Sequence, residues 1–366
     1  MAYRLSLLDK SPLAEGESAS AALARTVALA QQAEALGYHR FWLAEHHNTQ
    51  ALASPSPEVL IAWILAHTTH LRVGSGGVML QHYSPYKVAE NFNLLAALAP
   101  GRVDLGVGKA PGGLPLSTKA LQLGVHAEEK GDFASQLKLL DSWLNARPTG
   151  KEEDQLLATP LPARPAERFL LGASEASARL AAQLGWQFVF AAHLNGDRQE
   201  LERSLAAYRE LSGGKSALLA VQVIVADSPA AAELLAADLQ QYRVHVDNGQ
   251  SVTVGNLEQA QAFIRQSGAT RHRIEPRESA VLKGTASQVH ARLAQLHQQF
   301  GVEEFIIDTP LNAAVPRLNS LRLLAPPSRR RPYYEPRFCT TADRLAPRAA
   351  SVSRAFQSGV RHYRTH

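Results

Sequence analysis

Short apolar runs alternate with longer amphipathic stretches along most of the chain. Residues 3–8, 41–44, 71–80, 101–108, 168–171, 187–192, 217–226 and 304–308 have the length and composition of buried strands. The stretches between them read as helices. A first helix is capped by Ser18 or Ser20, carries Leu23, Val27 and Ala30 on one face and stops at Gly37. Pro57 and Pro85 open the next two, to residues 67 and 99. Further helices are predicted over residues 128–145, 174–184, 198–211, 229–245 and 286–300, with a last one ending at Leu324. Residues 248–284 are polar and aperiodic, and are expected to form an irregular insertion between the seventh and eighth strands.

Strict βα alternation calls for right-handed crossovers and a parallel sheet, and eight units are the number that closes a barrel. The expected fold is therefore α/β, a (β/α)8 TIM barrel. A doubly wound open sheet is the alternative, because alternation alone does not demonstrate closure.

Composition changes this picture at one end only. The net charge of +5 is uneven, because residues 326–366 hold nine arginines, no lysine and two acids, Glu335 and Asp343. That segment carries +7 and the rest about −2, so the body offers no basic surface for nucleic acid. With Leu345 as its only leucine or isoleucine, the tail buries too little to offset its ordering entropy. The expected organisation is a barrel domain over residues 1–325 and an Arg/Pro-rich, disordered tail over 326–366, either a basic arm or the product of a shifted reading frame. No apolar run reaches the ~18 residues that span a bilayer. Asp9 interrupts what would be a signal peptide, and the single cysteine, Cys339, forms no intrachain disulfide. A soluble, cytoplasmic protein is expected.

The second strand runs directly into Glu45, His46 and His47, three side chains that handle protons or metals. Functional groups in α/β proteins gather at the carboxyl ends of strands, so this is the candidate catalytic position. Adjacent strand residues point to opposite faces, so His46 and His47 are not expected to chelate one ion, and no metal is expected. Gly74-Ser-Gly-Gly77 inside the third strand marks a bulge or a close approach of backbone to a ligand. Lys109 follows the fourth strand, and Ser174 and Ser177 open the helix after the fifth, where free N–H groups and hydroxyls suit a phosphate. Ser174 as a plain helix cap is the competing reading. Trp42 and Trp63 are most simply core aromatics.

Several stretches in order resemble the bacterial luciferase-like flavin-dependent monooxygenase family: Phe41-Trp-Leu-Ala-Glu-His-His47, Val73-Gly-Ser-Gly-Gly-Val-Met-Leu80, Pro85-Tyr-Lys-Val-Ala-Glu-Asn91, Gly101-Arg-Val-Asp-Leu-Gly-Val-Gly108, Leu171-Gly-Ala-Ser-Glu-Ala-Ser177 and Leu318-Asn-Ser-Leu-Arg-Leu-Leu324. The resemblance covers residues 3–325. It implies FMN, reduced by a separate flavin reductase, and dioxygen acting on a small organic substrate. It places Ser75 and the Gly76–Gly77 peptide, as a cis bond, under the flavin ring, with Ala173 and His193 beside the cofactor. It puts the phosphate at Lys109, Ser174 and Ser177. The basic residue after strand four is usually arginine in the family, so Lys109 supplies a point charge where a bidentate fork is usual. His46 matches the catalytic histidine, with Glu45 orienting its ring and His47 in support. A homodimer is also implied. A deazaflavin (F420)-dependent dehydrogenase and a non-catalytic flavin-binding protein share the fold and stand as alternatives.

Overall fold

A computed structural model describes residues 2–124, 130–146, 155–192, 197–247, 249–278 and 280–326. The tail from residue 327, His193 and the start expected for the helix over residues 128–145 lie outside the described residues.

The chain opens with β1 (Arg4–Asp9), α1 (Ala19–Leu36), β2 (Arg40–Leu43) and α2 (Pro57–His67). The glycine-rich third strand is split into β3 (Arg72–Ser75) and β4 (Val78–Met79), followed by α3 (Pro85–Leu98) and β5 (Val103–Gly108). Then come α4 (Pro115–Leu121), α5 (Phe133–Leu144), β6 (Glu167–Gly172), α6 (Glu175–Leu184), β7 (Gln187–Ala191), α7 (Arg198–Leu211) and β8 (Leu218–Val225). The remainder is α8 (Pro229–Ala236), β9 (Gln240–Val246), β10 (Ser251–Val254), α9 (Leu257–Ser267), β11 (His272–Glu278), β12 (Val281–Gly284), α10 (Ala286–Phe300), β13 (Glu304–Asp308) and α11 (Ala314–Leu324).

All barrel pairings are parallel. β1 pairs with β2 and β13, and β8 with β7 and β13, so the eight predicted strands close in the order β1-β2-β3-β5-β6-β7-β8-β13. β4 continues β3 along β5, and β12 adds to the carboxyl half of β8. The open-sheet alternative is excluded by this closure.

Period-2 alternation divides the core. Leu8, Trp42, Phe169, Val189, Ala220 and Ile306 meet on the barrel axis. Their chain neighbours Leu7, Phe41, Phe188 and Ile307 face outward and pack under the helices with Val73 and Leu105. Each fully buried side chain of this kind stabilises by ~1.5 to 3 kcal/mol. Ser18 caps α1 and Gly37 ends it in a left-handed turn, φ 83°, as expected. Its buried face is Ala22, Thr26, Leu29, Ala30 and Ala33, one position off the face through Leu23 and Val27. Small residues let α1 approach the barrel closely, and Thr26 Oγ1 donates to Ser11 Oγ at 3.0 Å.

Two expectations are corrected. The helix predicted over residues 229–245 ends at Ala236, and residues 240–246 form β9. The insertion is regular: β10-β9-β11 make an antiparallel sheet with α9 packed on it through Val244, Val254, Ala260 and Phe263. Its pairings are non-local, which a periodicity confined to one segment does not register. Trp42 is buried, but Trp63 is 59% exposed on α2.

The amino end of the barrel is closed by charge. Arg40 lies 2.9 Å from both Asp104 Oδ1 and Glu304 Oε1 and 2.8 Å from Glu167 Oε2, with its guanidinium carbon 4.8 Å from the Phe169 ring centroid. Arg72 also holds Asp104, while Ser6 and the Trp42 indole N–H donate to Glu304 and Asp104. Burial alone would push the Arg40 pKa down, but the three carboxylates more than offset it and raise it. Replacing Arg40 by methionine leaves Asp104 and Glu304 buried without their cation. A loss of about 3 to 5 kcal/mol is expected from chemical denaturation. A change below about 1 kcal/mol would show that Arg72 alone balances the cluster.

Candidate active site

Strand β2 carries the alternation beyond its last pairing. Trp42 and Ala44 belong to the axis cluster, so His46 falls on the axis face, while Glu45 and His47 fall together behind it. Three backbone bonds fix the segment: Ala44 N–H to Asp9 O at 2.9 Å, His46 N–H to Ser54 O at 3.1 Å and His47 N–H to Gly112 O at 2.8 Å.

Glu45 is fully buried and accepts at both oxygens. His47 Nε2 lies 2.7 Å and Tyr83 Oη 2.8 Å from Oε1, and the Met79 N–H lies 3.0 Å from Oε2. Glu45 was expected to orient His46; these bonds hold His47 and Tyr83 instead, because residues two apart share a face. Burial, and then the Glu45 carboxylate, raise the Tyr83 pKa well above that of a free phenol. Glu58, at the start of α2, is raised by burial and by Glu45.

His82 extends the cluster. Its ring stands 5.9 Å from that of His47, edge to face. His82 Nε2 lies 2.7 Å from Pro111 O and must donate to it, while Nδ1 lies 3.2 Å from the Gln122 amide nitrogen and accepts. Both bonds are made by the neutral ring, and burial lowers its pKa. Tyr83, Glu58 and His82 carried no signal beyond their residue type, since only the fold brings residues 58, 82 and 83 to Glu45.

The glycine segment forms a close-packed ledge. The Gly76–Gly77 peptide is cis. A Cβ on Gly76 would stand 2.7 Å from Leu8 Cδ1 and 3.2 Å from Trp42 Cβ, and one on Gly77 2.9 Å from Gly106 O. No side chain fits there, so bare backbone is presented at the strand end. Ser75 is buried, and its hydroxyl bonds the Gly106 carbonyl at 2.8 Å; any ligand contact from Ser75 is left to its backbone.

The adjoining corner gathers hydroxyls and a cation. Gly108 pairs in register with Leu171, which sets Lys109, exposed, beside the turn through Ala173 to Ser174. Ser174 caps α6 as expected and stands 3.2 Å, oxygen to oxygen, from Ser177. Gly172 lets Ser177 close in, since a Cβ there would lie 2.5 Å from that of Ser177. Glu200, not foreseen, accepts from the Glu175 N–H at 2.7 Å and takes the first amide of the helix. The remaining hydroxyls, helix amides and ammonium are a donor set for a phosphate dianion, and the bare ledge suits a flat ring. The corner and ledge fit FMN.

The sequence profile of the luciferase-like monooxygenase family matches residues 4–304. N-acetyl-S-alkylcysteine monooxygenase of Bacillus subtilis (strain 168) is 42% identical over 326 residues, 88% of this chain and 97% of that protein. The crystal structure of apo-MsnO8 superimposes with a TM-score of 0.71 at 29% identity, over 88% of this chain and 96% of that one. The oxygenating constituent of 3,6-diketocamphane monooxygenase from Pseudomonas putida, in complex with FMN, shares the fold with a TM-score of 0.63 at 18% identity, over 89% and 97%.

The His82 geometry has a consequence in acid. Its folded-state pKa lies below the unfolded value, so the folded protein binds fewer protons and loses stability as pH falls below about 6.5. His82→Gln should flatten the fall between about pH 6.5 and 5 by up to ~1.4 kcal/mol per pH unit, read from urea midpoints. Parallel profiles for the two proteins would show that His82 is charged in the fold.

Proposed function

The chain belongs to the luciferase-like monooxygenase family, and on that premise we propose that it uses FMN, reduced by a separate flavin reductase, and dioxygen to oxidise a small organic molecule. The observation that carries this reading is the placing of His46 on the axis face, next to a backbone ledge and a phosphate-type donor corner. Lys109, Ser174 and Ser177 would hold the phosphate, with Gly76, Gly77 and Ala173 along the ring. Reduced FMN, when bound, supplies the electrons that activate dioxygen.

The chain's own residues supply the rest. An imidazole with an ordinary pKa near 6.5 accepts and returns a proton at neutral pH, which is the task of His46. Glu45, with His47 and Tyr83, anchors the segment that carries His46, and the apolar axis layer below keeps water out. The name of the Bacillus subtilis relative makes an N-acylated thioether amino acid the first probe to try.

The test mixes FMN-loaded protein, a flavin reductase system, oxygen and N-acetyl-S-methylcysteine, with products identified by mass spectrometry. Oxygen-dependent product is expected, and His46→Ala should slow its formation by ~10² to 10⁴ while FMN affinity stays unchanged. Equal rates would remove His46 from the chemistry. Reduction of deazaflavin by an alcohol, without oxygen-dependent product, would favour the dehydrogenase, and binding without turnover of any probe the flavin-binding protein.

Lys109→Ala should weaken FMN by about 1.5 to 3 kcal/mol and leave riboflavin, which lacks the phosphate, nearly untouched. Equal losses in fluorescence titrations would mean that Lys109 acts on the fold.

A homodimer is part of the same reading. Val59, Trp63, Leu94 and Leu98 are 69%, 59%, 50% and 70% exposed on the neighbouring helices α2 and α3, an apolar patch of the kind that partners cover. Sedimentation should find a dimer in the native chain and monomer for Trp63→Glu; a monomeric native protein ends the idea.

A further inference from the structure

The geometry points to a second binding element at the barrel mouth: Lys10 as the residue that holds a carboxylate of the substrate, which makes that substrate a small organic acid. This deepens the monooxygenase reading and rests on it for the reaction, but not for the binding.

Lys10 continues the axis-facing series Ser6, Leu8, Lys10 on β1, just as Asp308 continues Glu304, Ile306 on β13 and Gln222 continues Leu218, Ala220 on β8. The register aligns Leu8 with Asp308 and Asp308 with Gln222. Asp308 is 2% exposed and accepts from Lys10 Nζ at 2.6 Å and Gln222 Nε2 at 2.9 Å, both at Oδ2. It is enclosed, and its work is to fix the ammonium. Lys10 remains 27% exposed, and among the described residues its ammonium bonds only Asp308, which leaves two of its three N–H donors for another acceptor. The accessible charge of this buried pair is therefore the cation.

The position suits a substrate site. Leu8, one layer below Lys10, is the side chain that a Cβ on Gly76 would strike, so Lys10 stands over the axis within reach of the ledge. His46 lies on the neighbouring strand, in the same face-sharing series as Trp42 and Ala44. The barrel rim thus divides in two. Strands β3, β5 and β6 carry the ledge and the phosphate-type corner, whereas β2, β1, β13 and β8 carry His46, Lys10, Asp308 and Gln222. Loops following β1, β2 and β13 enclose a cavity of about 700 Å³ lined by Leu13, Gly16, Gln50 and Asn312, room enough for a small molecule. Glu17, also on that wall, is neutralised by Arg25 at 2.6 Å.

The test is equilibrium binding to FMN-loaded protein by titration calorimetry, with N-acetyl-S-methylcysteine and S-methylthioacetic acid each compared with its own primary amide. The acids should bind the native protein roughly tenfold or more tightly than their amides, the margin of one charge-assisted hydrogen bond. Lys10→Met should reduce the acids to the level of the amides with FMN affinity and melting temperature unchanged, and Lys10→Arg should keep the preference. Equal binding of acid and amide, no binding of either, or a preference that survives Lys10→Met would overturn the assignment. An acid preference that runs through Lys10 in a protein that consumes no oxygen with reduced FMN would leave this subsite standing and refute the monooxygenase reading.

Discussion

The buried ion cluster around Arg40 is what the rest of the barrel is built on. One guanidinium ties β2 to β5, β6 and β13, and Arg72 ties β3 to the same Asp104. Five of the eight barrel strands thus share one electrostatic knot at their amino ends. Charges this deep are costly unless each is met by an opposite charge or a donor, and Ser6 and the Trp42 indole satisfy the carboxylate oxygens that the arginines leave. The knot fixes which residues of each strand face the axis. A slip of one residue would turn the ionic layer outward and the aromatic layer with it.

From that layer upward the alternation builds the site. Above the charges sit Leu8, Trp42, Phe169 and Ile306, and above these the axis positions turn polar again with Lys10, Gln222 and Asp308. The apolar middle layer isolates the two ionic ones. It also supports the glycine ledge, because Leu8 and Trp42 fill the space that a side chain at Gly76 would need.

Glu45 plays a comparable part behind β2. A carboxylate with no exposure accepts from a tyrosine, a histidine and a backbone amide. Those partners come from the second strand and from the turn after the third, so the Glu45 bonds lock two strand ends together and set the direction in which His46 leaves the sheet. His82, neutral between Pro111 and Gln122, fastens the loop after β5 to the same cluster. Leu114 of that loop in turn packs into the core under the β10-β9-β11 sheet, so the insertion and the strand ends move as neighbours.

What the sequence determined by itself was local and periodic. Eight apolar runs, their capping serines, the helix-stopping Gly37 and Gly185 and the strand-ending Glu45-His46-His47 are signals written within a few residues of where they act, and the barrel follows from their count and alternation. The ledge was legible too, since four residues with three glycines in a strand have few other uses. What only the tertiary structure decided depends on contacts between distant segments. Glu45 turned to His47 and Tyr83 because face-sharing and the neighbouring strand outweigh adjacency in sequence. Residues 240–246 became a strand because their partners, residues 251–254 and 272–278, lie beyond any local window. Trp63 came to lie on the surface because the narrow buried stripe of α2 passes through Ile61, Ile64 and Leu65. Lys10 gained its meaning from Asp308, almost three hundred residues away, which no spacing along the chain connects and only the closure of β1 against β13 brings within 2.6 Å.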